Sequence, residues 1–147
     1  MTMEAAAIVV RVATHPEERA RAFAIRGRVF QDEQGVPADE EFDADDERAT
    51  HVLATAGDLT VGTGRVVLHP DYAKIGRMAV LKEWRRQGVG RALIDALMRI
   101  AARQGVRRCV LHAQVQAMPF YAALGFGVVG EEFEEAGIPH RRMERTL

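Results

Sequence analysis

The chain has 147 residues, of which 48% are hydrophobic and 28% charged, with a formal net charge of −1. That length suits one domain with one core spanning residues 1–147, and so apolar a composition excludes a disordered chain. The near-neutral balance excludes a generally basic nucleic-acid or anionic-membrane binder. The sole cysteine, Cys109, excludes an internal disulfide and a cysteine-rich metal site. Within Cys109-Val110-Leu111 it reads as a buried, unreactive thiol. No signal-peptide pattern opens the chain, and no apolar run approaches the roughly 20 residues of a membrane-spanning helix. A cytoplasmic protein is expected. Charge is uneven: residues 39–47 are mostly acidic and residues 82–108 carry excess Lys and Arg, which suggests a local anion site.

In chain order, Ile8 to Val12 is β-branched and reads as a strand. Thr14-His15-Pro16-Glu17 matches a capping box, with Thr14 as N-cap and Glu17 reaching back. The helix it opens should run to about Phe30. Residues 31–48 read as a long acidic loop, a length that in a small domain often marks function. His51 to Thr55 and Val61 to Leu68 are strands joined by turn residues Gly57 and Asp58. With Ala73 to Val80 they should form an antiparallel meander. From Gly88 a helix follows whose apolar face takes Val89, Leu93, Ala96, Leu97 and Ile100, with Gly105 as its stop. Arg107 to Ala113 is the next strand, then a short helix over 118–124. The tail supplies strands near Phe126–Gly130 and His140–Leu147 around an acidic turn. The order predicts a mixed α/β, or α+β, domain with a strand–turn–helix–strand unit at its centre.

That central turn carries the strongest chemical signal. A strand ends at Val80, a basic loop follows, and a helix begins among glycines in Arg85-Arg86-Gln87-Gly88-Val89-Gly90-Arg91. The first N–H groups of a helix lack internal acceptors and carry the positive end of its dipole. Glycine lets a ligand approach the backbone, and flanking arginines add charge, so the turn suits a phosphate or diphosphate. An ordinary strand-to-helix connection is the alternative. A P-loop would need Gly-Lys-Ser/Thr, but Arg91-Ala92 follows Gly90. Gly125-Phe126-Gly127-Val128-Val129-Gly130 matches GxGxxG, yet it falls within an expected strand with no long helix after it. It is therefore no dinucleotide fingerprint.

Arg85 to Gly90 resembles the acetyl-CoA signature [Q/R]-x-x-G-x-[G/A] of the GNAT N-acetyltransferase superfamily. Gln114 to Phe126 is similar to that family's second signature, with Gln114 in a place commonly held by Asn. Ala117, Phe120-Tyr121 and Gly125-Phe126 match the rest. Val29-Phe30, Glu33-Gln34, Val36-Pro37, Glu41, Asp43, Asp46, His51 and Ala136-Gly137-Ile138-Pro139-His140 extend the likeness to the ElaA/YjcF-like branch. The resemblance implies a mostly antiparallel sheet flanked by helices, and transfer of the acetyl group of acetyl-CoA to a primary amine.

It also implies roles. Met78, Ala79 and Val80 would line the pantetheine arm, with a backbone N–H near Met78 or Ala79 steadying the oxyanion. Arg85 to Arg91, Gln114 and Phe120 would complete the donor site. Direct attack by the amine needs no enzyme nucleophile. Tyr121 would protonate the leaving thiolate, or else be a core aromatic beside Phe120 and Phe126. The ammonium must lose a proton. Candidate bases are Glu33, His51, His112, Glu132 and His140, and Glu33 and His140 sit in the matching segments. No EF-hand or HExxH spacing occurs, so no metal is expected. The acidic run 39–47 reads either as a solvated loop or as a draw for a cationic amine. A non-catalytic acyl-CoA-binding module and a protein for some other phosphate ligand are the rival readings. The resemblance implies neither a nucleic-acid nor a membrane partner and leaves a homodimer open.

Overall fold

A computed structural model describes residues 7–147. Seven strands form one sheet in the order β1-β2-β3-β4-β5-β7-β6. They are β1 (Ile8–Val12), β2 (Thr50–Ala56), β3 (Leu59–Leu68), β4 (Ala73–Val80), β5 (Arg108–Gln114), β6 (Gly127–Glu135) and β7 (Ile138–Thr146). Every neighbouring pair is antiparallel except β4 and β5, which run parallel. The helices are α1 (Pro16–Arg26), α2 (Ala38–Glu41), α3 (Val89–Arg103) and α4 (Met118–Ala123). The expected meander is β2-β3-β4. No helix of the described residues is long and apolar enough to cross a membrane.

Alternation along β2 shows the two layers. Val52, Ala54 and Ala56 join the main core with Leu93 and Leu97 of α3, whereas Leu53 packs with Ala22 of α1. The long helix lies close on the sheet because β3 carries glycine beneath it. A Cβ at Gly62 would sit 3.0 Å from Val89, and one at Gly64 would sit 2.9 Å from Leu97. The buried stripe of α3 includes Ile94, Met98 and Ala101, while Ala96 and Ile100 are only half-buried. It is rotated from the expected stripe because α3 crosses four strands and so buries a wider arc than one seam. Cys109 is fully buried, and burial pushes its thiol up to about 11.

Three local expectations need correction. The helix cap is His15, and the carboxylate that reaches back is Glu18, accepting from the backbone N–H of Thr14 at 3.3 Å and of His15 at 3.2 Å. Pro16 occupies the first helical position, which shifts the box by one residue. Beyond Arg26 the chain continues as a π-helical segment over Gly27–Glu33, longer than expected. The acidic residues 131–135 belong to β6, and the turn is Ala136-Gly137, both with positive φ. Two such residues match the twist of a tight hairpin.

One irregularity creates the site. Thr63 pairs with Ala79 and Arg65 with Gly76, so β4 carries one extra residue at a bulge. Arg77, at the bulge, adopts φ +52. The extra residue reverses the facing pattern: Ala73 and Ile75 lie in the main core, whereas Ala79 and Leu81 pack with Ile25 and Val29 on the other side. β4 pairs with β5 only through Ala73–Ile75 against Cys109–Leu111. Beyond that the two strands diverge.

Candidate active site

The divergence opens a cavity of about 810 Å³ whose wall runs from the turn before α3 to the β6–β7 hairpin. At one end Gly88 precedes α3 at φ +85, a left-handed conformation that suits glycine, and a Cβ there would meet nothing within 4 Å. Ala92 N–H donates to Gly88 O at 3.1 Å, so the N–H groups of Val89, Gly90 and Arg91 have no acceptor within the helix. Arg86 and Arg91 line the cavity, and neither makes an ion pair among the described residues. This is a positive concave surface made mostly of backbone.

The structure divides the predicted donor residues by what they do. Met78, Ala79, Val80, Gly88, Gly90, Gln114, Phe120 and Tyr121 also line the cavity. Gly90 sits close under Phe120, where a Cβ would lie 3.1 Å from the ring. Arg85 lines the wall but its guanidinium is engaged. Nε donates to Val80 O at 3.0 Å, and Nη2 donates to both Glu33 carboxylate oxygens at 2.9 Å. Gln87 turns away and donates to Glu83 O at 3.0 Å, and Val89 buries its side chain in the core. Gln114 exchanges amide hydrogen bonds with Gln34 at 2.9 and 3.2 Å, tying the end of β5 to the π-helical segment across the mouth of the split. Tyr121 is 9% exposed and packs edge-on against Phe120 and Phe126. Burial pushes its hydroxyl up to about 12, so it stays protonated at neutral pH.

At the other end stand His112, Glu135 and His140. His112 Nδ1 lies 3.1 Å from one Glu135 oxygen, and His140 Nε2 lies 3.6 Å from the other. The hydrogen bond to His112 is the main cause holding the Glu135 carboxyl below its usual value, with burial opposing it. His140 Nδ1 lies 2.6 Å from Ile138 O, a bond that places a hydrogen on Nδ1 and turns Nε2 toward Glu135. Phe133 packs against both rings. His140 is therefore on the cavity wall. Glu33 is not: it is held by Arg85 outside the lining. His51 and Glu132 are also absent from the wall. His51 is buried, with Nε2 2.9 Å from Asp46 O, and burial lowers its tendency to protonate. Glu132 is exposed on β6.

Three carboxylates of the acidic run, Glu41, Asp43 and Asp46, are tied to arginines, while Asp39, Glu40 and Glu47 stay exposed. Arg26, 1% exposed, donates from Nε to Glu41 at 3.0 Å and from Nη1 to Asp46 at 2.7 Å. Arg65 Nη1 donates to Asp43 and to Asp46, each at 2.7 Å. Arg77 Nε donates to Glu41 O at 2.9 Å and Nη2 to Asp43 at 3.2 Å. Burial works against the charge on Asp46, but hydrogen bonds and charge from Arg26 and Arg65 win and bring its carboxyl to about 2. The three carboxylates thus form a clasp that holds the bulged Arg77 from the α2 side.

Glu135, Arg77 and the clasp arginines escaped the sequence reading, and Gln34 entered it only within the family likeness. Ala136-Gly137 could have revealed Glu135, because a two-residue hairpin there aligns Phe133 and Glu135 with His140 and Ile138. The pairing of Arg26 with residues 15 and 20 positions later left no local pattern. Among the described residues no group of three or more His, Cys, Asp or Glu could hold a metal ion.

Comparison with known proteins gives a consistent picture. Residues 12–147 match the family model described as "Acetyltransferase (GNAT) domain". The chain is 41% identical over 133 residues to the "Uncharacterized N-acetyltransferase YjcF" of Bacillus subtilis, covering 90% of this chain and 95% of that one. It is 32% identical over 129 residues to the protein ElaA of Escherichia coli, covering 84% of each. The crystal structure of Escherichia coli ElaA superposes with a TM-score of 0.84 at 26% identity, covering 95% of this chain and 99% of that one. That of an acyl-CoA N-acyltransferase from Pseudomonas aeruginosa gives 0.82 at 26% identity, with the same coverage.

Proposed function

Because the chain belongs to the GNAT acetyltransferase family, whose members use acyl-CoA as donor, we propose that it moves the acetyl group of acetyl-CoA directly to a primary amine. The observation that carries this reading is the β4–β5 split, which opens between an anion-binding helix start and an ionisable cluster. The diphosphate of the donor fits the free N–H groups at the start of α3, with Arg86 and Arg91 beside them. The extended pantetheine arm fits the unpaired edge of β4 over Met78, Ala79 and Val80. A backbone N–H at the bulge, near Met78 or Ala79, is the group to polarise the thioester carbonyl. Arg85 acts as a brace between Val80 O and Glu33 rather than as a phosphate ligand.

At the other end His140 Nε2 takes a proton from the ammonium, directly or through water, and Glu135 stabilises the imidazolium formed. The amine lone pair then forms the C–N bond. The C–S bond breaks as the tetrahedral intermediate collapses, Tyr121 gives its hydroxyl proton to the leaving thiolate, and the second ammonium proton leaves for solvent. The products are an N-acetyl amine and free CoA thiol.

Thiol release from acetyl-CoA in the presence of an amine panel tests this. Release that depends on an amine is expected. Tyr121→Phe should lower kcat by about 100-fold, the scale of a lost general acid, with CoA affinity unchanged. A protein that binds CoA by calorimetry yet releases no thiol with any amine is the non-catalytic acyl-CoA-binding module instead.

A further inference from the structure

On the acyl-transfer reading, we propose that the acceptor is a small amine that also bears an anionic group, and that Lys74 holds that group at the closed end of the split. The strand register supplies the first argument. Lys74 pairs with Val110 in the last stretch where β4 and β5 remain together. Since Ile75 and Leu111 lie in the α3-side core, Lys74, Gly76, Val110 and His112 face the α1 side. Strand spacing of about 4.8 Å and a rise of about 3.3 Å per residue put the Cα atoms of Lys74 and His112 about 8 Å apart. Lys74 and His112 both line the cavity, with Gly76 between them.

Charge supplies the second argument. The other cations on this part of the wall, Arg65 and Arg77, are matched by Glu41, Asp43 and Asp46. Lys74 makes no ion pair among the described residues, although its charge reaches Glu135. A half-buried ammonium on a cavity wall without a partner is a site for an anionic ligand group. Glu135, with Glu40 from α2, provides negative charge for the ammonium of the same molecule. Asp45 is paired with Arg48. A cation on the same wall as a carboxylate–imidazole pair suits an amino-carboxylate or amino-phosphate and disfavours a polyamine, which Lys74 would repel.

Gly76 supplies the third. Its φ is not positive, and a Cβ built there would meet nothing within 4 Å. Neither backbone conformation nor packing within the protein asks for glycine, so the bare floor between Lys74 and His112 is space for an acceptor.

Matched acceptors give the test: an amino acid, its amide, the corresponding decarboxylated amine and ethanolamine phosphate, each read by thiol release. Wild type should favour the acceptors with an anionic group by about 10-fold or more in kcat/KM. Lys74→Met should raise KM for those acceptors about 10-fold and leave the neutral amines unchanged, and Lys74→Arg should keep the preference. Gly76→Val should weaken every acceptor while CoA affinity measured by calorimetry stays put. Equal kcat/KM for charged and neutral acceptors, or a preference that survives Lys74→Met, overturns the proposal. Calorimetric titration of the amino acid into CoA-loaded protein separates the two readings. Binding lost in Lys74→Met without any thiol release sinks the transfer reaction and keeps the anion site. Neither turnover nor binding by any of the four probes sinks both.

Discussion

Two charged clusters share the α1-facing side of this sheet, and they are built on opposite principles. Behind the bulge of β4, three arginines and three carboxylates neutralise one another, with Arg26 and Glu41 at 1% and 2% exposure. Beside β5 and β7, Glu135 is shared between two imidazoles, and its side chain remains 42% exposed to the cavity. A closed cluster has little left to offer a ligand and serves to hold chain segments together. An open one keeps lone pairs and charge available for proton transfer. Charge density alone does not separate them, since residues 39–47 hold seven acids in nine positions and residues 131–135 four in five.

The sharpest way to break this comparison is to remove one partner from each cluster. Glu41→Ala leaves the Arg26 guanidinium buried with a lost partner, and should cost about 3–5 kcal/mol in urea unfolding. The Arg26→Met/Glu41→Leu double variant should recover most of that loss, because no unpaired charge remains between those two positions. A Glu41→Ala cost below 1 kcal/mol would show that the clasp is not closed. The same truncation at the open cluster, Glu135→Ala, should change stability by less than about 1 kcal/mol and lower kcat about 10-fold. A large loss of stability there with unchanged turnover would reverse the assignment.

Acid provides the smallest effect, confined to low pH. The folded Asp46 carboxyl sits at about 2, below its ordinary 3.8, so the unfolded chain binds that proton more readily. Its contribution to stability is complete above pH 3.8 and is lost as pH falls through about 2. Urea midpoints between pH 6 and pH 2.5 should decline at the acid end, and Asp46→Asn should flatten that decline. An unchanged slope in the variant would place the acid sensitivity elsewhere.

The proposed donor half of the site was readable because it is local. The turn Arg85–Arg91 and the segment Gln114–Phe126 carry their patterns within a few residues, and the structure sets both along the same split. Even there, local pattern did not reveal that Arg85 is tied to Glu33 or that Gly90 sits under Phe120. The proposed acceptor half was less readable because it is assembled from α2, β3, β4, β5 and the β6–β7 hairpin, whose side chains meet only after folding. His140 was picked from a motif, while its neighbour Glu135 became visible only in the hairpin register.

By itself, then, the sequence determined the element order, the buried thiol at Cys109 and the glycine-rich basic turn before α3. Hydrophobic period, caps and glycine spacing act over one or two turns of chain. Tertiary structure alone decided that Glu41, Asp43 and Asp46 form a clasp, that β4 bulges at Arg77, and that Lys74 lines the cavity with no ion pair among the described residues. Those outcomes depend on strand register and on ion pairs between residues distant in the chain. A single extra residue in β4 was enough to reverse which side chains face the site.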